Sequence, residues 1–228
     1  MRSVFLKLIQ VCLLVSTLNT MSAHAASTVA YDTLGPENAL SNGPAWFYGA
    51  PGQGGKDGNW VTAQRFVSSA SGLLQSITVP LSYANSIEFG TLIQIRDDNN
   101  GSPGSILAQV SHLPADLTTI STASFSSDLL ITEGHAYWIS LAADSAHPLT
   151  TGAWLSNALS IGGTRAFSGA TWLPAGEWHV YTVDGNVSPL GAARVMVTTV
   201  PEASTVLLFL GGLFVLVPGV SVARRRKA

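Results

Sequence analysis

The sequence predicts an all-β fold, a single sandwich of two packed sheets. Three observations point there. Between residues 26 and 199 no long stretch repeats with the 3.6-residue period of a helix. Short runs with period-two alternation recur instead, separated by clusters of Gly, Pro, Asn and Asp. Charged residues make up only 11% of the chain, while Ser, Thr, Gly and Ala are plentiful, a mixture common in secreted β-proteins.

The strand candidates follow in order. Ala45-Trp46-Phe47-Tyr48 is short and aromatic, and the Gly-rich run 51–59 behind it reads as a loop. That loop is no phosphate cradle, because no Gly-Lys-Ser/Thr and no helix follow it. Trp60–Val67 and Leu73–Tyr83 read as strands with Ser71-Gly72 as the turn between them. Thr91–Arg96 alternates, with Ile93 and Ile95 on one face and Gln94 and Arg96 on the other. Residues 97–104 form the strongest turn in the chain and lead into Ser105–Ser111. Thr119–Phe125 and Leu129–Thr132 come next, then the turn Glu133-Gly134 and the clearest strand, His135–Ala143. Ala153–Ser156, Thr164–Ser168, Trp178–Val183 and Ala193–Thr199 complete eleven strands besides the short aromatic run, a count that fits a jelly-roll-like sandwich. Residues 26–199 have the length of one domain with its own core.

The two ends differ from this body. Arg2 and Lys7, the apolar run Leu8–Leu18 and the small-x-small site Ala23-His24-Ala25 predict a secretory signal peptide over 1–25, cleaved after Ala25. At the other end, 206–223 is apolar and uncharged, and the basic tail Arg224-Arg225-Arg226-Lys227 follows it. The 20 uncharged residues from Ser204 to Ala223 would rise about 30 Å as a helix, the thickness of a bilayer core. Ten apolar side chains in 206–217 favour insertion by about 3 to 6 kcal/mol. The cations favour the cytoplasmic face, which leaves the body outside the cytoplasm.

Val200-Pro201-Glu202-Ala203-Ser204, the apolar run and the Arg-rich stop stand in that order at the C-terminus. Together, over 200–228, they resemble the PEP-CTERM sorting signal. Ala203 stands where that family usually carries its second proline. The resemblance implies an exported protein of a Gram-negative, exopolysaccharide-making bacterium. It also implies processing by a membrane-embedded cysteine transpeptidase-like protease, the exosortase. More loosely, Tyr31-Asp32-Thr33-Leu34-Gly35, the segment 98–107 and Tyr137-Trp138-Ile139-Ser140-Leu141 resemble the exported bacterial jelly-roll domains called choice-of-anchor domains. That likeness implies a fold and no activity.

Charge and motifs narrow the chemistry. Between the leader and the tail the body has five basic against twelve acidic side chains, a charge of −7, which excludes the basic footprint of a nucleic-acid binder. The one cysteine, Cys12, lies in the leader, so the mature body has neither disulfide nor thiol chemistry. His112, His135, His147 and His179 form no metal-binding spacing, and no Gly-x-Ser-x-Gly elbow exists. Asp97, Asn99 and Gly101 start like a calcium loop, but the twelfth position is Ala108 rather than glutamate, so only a weak, non-EF-hand candidate at Asp97 and Asn99 remains. Glu133 and Glu177 are the carboxylates best suited by type to glycosidase chemistry. Trp172 and Trp178 flank the loop 173–177 and are candidates for stacking on sugars.

The reading is therefore a non-enzymatic, cofactor-free protein of the cell envelope or extracellular matrix, linked to exopolysaccharide or biofilm. Its expected partners are an exosortase-like enzyme, the inner membrane through its C-terminal helix, and exopolysaccharide. Its expected route runs from transient inner-membrane anchoring, with the body in the periplasm, to the cell surface or matrix. The alternatives are a cell-surface carbohydrate-binding module and, further off, a polysaccharide-active enzyme.

Overall fold

The computed structural model describes residues 26–38, 40–49, 60–83, 90–113, 116, 118–169, 173–174 and 176–199. Thirteen strands occur among them: β1 (Ser27–Asp32), β2 (Leu40–Gly49), β3 (Val61–Val67), β4 (Gly72–Tyr83), β5 (Thr91–Asn99), β6 (Ser102–His112), β7 (Thr118–Ser124), β8 (Leu130–Ile131), β9 (Ala136–Ala143), β10 (Thr151–Asn157), β11 (Gly163–Ser168), β12 (His179–Val183) and β13 (Arg194–Thr198). They form two antiparallel sheets, and the fold is an all-β sandwich. The expected signal peptide and C-terminal helix lie outside the described residues. No helix among the described residues is long and apolar enough to cross a membrane.

One sheet has the order β12-β11-β3-β9-β5-β6. The other is built on the long strand β4. Its residues 76–78 pair with β13 on one edge and β7 on the other, while Leu81 and Ser82 pair with β10 and β7. β13 and β10 therefore share one edge of β4, extended by β1 and β2 respectively, and β7 and β8 share the opposite edge.

Period-two alternation places the core. Ile77, Val79 and Leu81 of β4 face Ile93 and Ile95 of β5 and Ile139 and Leu141 of β9 across the gap, all fully buried. Each such side chain contributes about 1.5–3 kcal/mol by leaving water. Trp154 on β10 is also fully buried, and its indole N–H donates to the Ala192 carbonyl at 2.8 Å. Gly191 lies flat under that ring: a Cβ there would come within 2.5 Å of it. Three hydroxyls close the core toward β2, where Tyr48 and Tyr83 both bond Thr91 Oγ1, at 2.6 and 2.7 Å.

Three local expectations change. β1 was not foreseen as a strand; among the described strands it pairs with β13 alone, at the far end of the sequence. Ser71-Gly72 is not a hairpin turn. The chain crosses there from one sheet to the other, bending at Ser69-Ala70, and Gly72 belongs to β4, where Thr198 O would lie 2.6 Å from an added Cβ. The strong turn at 97–104 is narrower than its sequence suggests. β5 and β6 pair up to Asn99↔Ser102, leaving a two-residue turn. Its residues Asn100 and Gly101 have φ of 53° and 83°, the positive values that a type I′ hairpin requires.

Candidate functional site

Most residues singled out for sorting lie outside the described residues: the leader site Ala23 and Ala25, the motif Val200, Pro201, Glu202, Ala203 and Ser204, and the basic tail Arg224, Arg225, Arg226 and Lys227. Trp172 lies outside them too. The flanks of these segments are described. Thr199 donates its backbone N–H and its hydroxyl to the Ala26 carbonyl, at 2.9 and 3.0 Å. Ser27 pairs with Thr198 directly behind them. The folded unit runs from Ala26 to Thr199, and its two ends meet at one corner.

At the calcium candidate the structure places a different carboxylate at the centre. Asp98 accepts from Arg65 Nε at 2.8 Å, from the Trp138 indole at 2.7 Å and from the Gly101 backbone at 3.2 Å. The Arg65 hydrogen bond, chiefly, holds its carboxyl below the usual range. Asp97 Oδ1 is buried where a Cβ on Gly104 would otherwise sit. Asn99 is exposed. No group of three or more His, Cys, Asp or Glu able to hold a metal occurs among the described residues.

Trp178 lies on the outer face of the β12–β6 sheet. It packs on Ala63, Trp138 and Ala166, and the Arg96 guanidinium stands 5.3 Å from its ring. Arg96 is fixed in turn by Gln94, Ser140 and the Gly104 carbonyl. The ring is thus partly used in packing and partly open. Glu177 beside it is exposed, as is Glu133 at the β8–β9 turn.

Ser111, Asp144 and His147 bring together the residue types of a hydrolytic triad in the wrong order. Ser111 donates to Asp144 Oδ2, and His147 Nδ1 approaches the same oxygen at 3.4 Å. No Ser111–His147 hydrogen bond occurs among the described residues, so the three are not arranged as a serine–histidine–aspartate relay. Asp144 also accepts from the Ala146 backbone, and the group closes the β9–β10 loop. A second feature, a cleft of about 240 Å³ between Tyr31, Arg65 and Leu190, is smaller than ligand pockets of about 300–1,000 Å³. Burial pushes the Tyr31 phenol beside it up to about 12.

The most unusual chemistry sits where the edge strands β2 and β12 of the two sheets approach each other. Across the inner face of one sheet, Tyr181, Arg165, Gln64 and Ile139 stand opposite one another in a single row. Trp46 reaches over from β2, with its ring centroid 3.4 Å from the Arg165 guanidinium carbon and 6.3 Å from the Tyr181 ring. Arg165 is fully buried, at 0% exposure. It donates from Nη2 to Thr62 Oγ1 at 2.8 Å. Among the described residues its Nε and Nη1 find no partner, nor does either amide atom of Gln64. Burial pulls the guanidinium well below its ordinary pKa, and among the described residues no carboxylate reaches it. Toward solvent, Trp60 stacks on Phe167 at 5.0 Å and Phe167 meets His179 at 4.9 Å. These rings are half-buried or, for His179, exposed.

Sequence reasoning named neither Arg165 nor Gln64 as a site. The signal was present in the alternation: Arg165 shares a face with Phe167, and Gln64 with Phe66, so both polar side chains point inward wherever those aromatics do.

No family model matches the chain, and no curated protein matches it.

Proposed function

We propose that this is an exported protein of the cell envelope or extracellular matrix, delivered by a leader over 1–25 and sorted through a PEP-CTERM-like tail over 200–228. The observation that carries this is the tail itself, with Pro201 and Glu202 ahead of an uncharged run and four cations. The folded unit is consistent with it. Cutting after Ala25 and near Pro201-Glu202 would remove no strand, since β1 begins at Ser27 and β13 ends at Thr198. The protein is the substrate of an exosortase-like enzyme and has a structural or interaction role of its own. Mass spectrometry of the intact protein from its native cell tests this. A C-terminus near residue 200 is expected, and Pro201→Ala with Glu202→Ala should leave the chain uncut. An unchanged mature C-terminus in that variant would defeat the reading.

Strand order supports a jelly roll over other sandwiches. β1 pairs with β13, β3 with β9, β4 with β7 and β5 with β6. These pairs are nested one inside the next, as in a long hairpin rolled into two sheets.

A second reading, a carbohydrate-binding module, is favoured by the ring cluster between β2 and β12. Trp46 and Tyr181 stand half-buried beside the polar Arg165 and Gln64, the combination that suits a sugar with one apolar and one polar side.

A further inference from the structure

We propose that the edge between β2 and β12 binds a carboxylate carried on a six-membered ring, with the acid group on Arg165 and Gln64 and the ring against Tyr181 and Trp46. This rests on the second reading above and names the class of its ligand.

The argument starts from unmet bonding capacity. A guanidinium has five N–H donors in a flat fork and stays charged in proteins. Among the described residues only Nη2 of Arg165 has a hydrogen-bond partner, the Thr62 hydroxyl, and that partner is neutral. Gln64 stands directly opposite on β3 with donor and acceptor both unused. A buried cation without a counter-charge is strongly unfavourable, and none of the described residues supplies one, so an anion completes the site. The planar fork matches a carboxylate, which can accept from Nε and Nη1 together while the Gln64 amide donates to it. Trp46 covers one face of the guanidinium at 3.4 Å, which orients the fork edge-on toward an incoming group.

The surroundings select what bears the carboxylate. Tyr181 and Trp46 flank Arg165 with their rings 6.3 Å apart, and flat aromatic faces favour a ring over an alkyl chain. The body is acidic, at −7, which disfavours a densely charged polyanion and favours a ligand with one acid group in reach. Arg165 is fully buried, so entry requires rotamer changes among the half-buried rings at this edge.

The test uses the full chain in mild detergent at fixed ionic strength, titrated by calorimetry and by thermal shift. The probes are glucuronate, glucose, benzoate, benzamide and acetate. A ring acid, glucuronate or benzoate, should bind saturably and at least tenfold tighter than its neutral counterpart and than acetate. Which of the two binds separates a sugar acid from an aromatic acid. Arg165→Met should abolish the acid preference while the chain stays folded by circular dichroism, and Gln64→Leu should weaken it. Equal binding of acid and neutral ring, equal binding of acetate, or a preference that survives Arg165→Met overturns the proposal. If glucose binds as well as glucuronate, the carbohydrate reading stands and the acid inference falls. If no probe binds, both fall.

Discussion

Arg165 and Asp98 show two ways in which one sheet holds a charge. Asp98 is repaid three times over, by Arg65, by the Trp138 indole and by the Gly101 amide. Arg165 is not repaid: among the described residues two of its three nitrogens have no hydrogen-bond partner. The two should therefore respond oppositely to removal. Arg165→Met keeps the volume and discards the buried charge, so the unliganded protein should be unchanged or more stable by about 1–4 kcal/mol in urea unfolding. Asp98→Asn leaves Arg65 without its counter-charge and should cost about 1–3 kcal/mol. It should also change the acid limb. The folded Asp98 pKa is depressed, so its contribution is complete above the ordinary carboxylate value of about 3.9 and disappears as pH falls through the lower folded value. Asp144 acts with the same sign, chiefly through the Ser111 hydrogen bond. Urea midpoints measured from about pH 7 down to about pH 2 should fall less steeply in Asp98→Asn than in the parent.

Turns and crossings decide where each strand lies, and two glycines separate backbone strain from lack of space. Gly101 has φ of 83° and nothing within reach of an added Cβ, so Gly101→Ala meets only the left-handed penalty of about 1–2 kcal/mol. Gly191 has an ordinary backbone but lies under the buried Trp154 ring, which has no room to swing away. Gly191→Ala should lower the melting temperature further and shift tryptophan fluorescence, whereas Gly101→Ala should leave the emission unchanged. The same distinction explains what could be read from the chain in advance. Alternation is local, so β3, β9 and β11 fell within one residue of their expected bounds. β1 escaped because its partner is β13, and pairing across the whole chain leaves no local trace. Ser71-Gly72 reads as a turn by composition, but whether a turn joins two strands of one sheet or passes between sheets is settled by packing. At the edge between β2 and β12, alternation could have shown Arg165 and Gln64 facing inward. That they sit in one row, under Trp46, follows only from register and from the approach of a strand of the other sheet. The Asp98 knot was equally hidden, because Arg65 and Trp138 come from two other strands.

For the molecule as a whole, the unit Ala26–Thr199 contains every described strand. Produced without residues 1–25 and 200–228, it should unfold in one cooperative transition, with calorimetric and van't Hoff enthalpies in agreement. A broad or stepwise melt would mean that the flanking segments contribute to the fold. The meeting of Ala26 with Thr199 also fixes how the domain answers to force. β1 and β13 are antiparallel neighbours, and both chain ends leave from the same end of that pair. Tension applied between the two termini runs across the ladder, so it loads one hydrogen bond at a time and peels β1 away like a zipper. Tension applied between Thr199 and the Asn100-Gly101 hairpin tip lacks this single-bond path and must be carried by many pairings at once. A domain tethered only through its C-terminal side would keep its weakest mechanical seam out of the line of load.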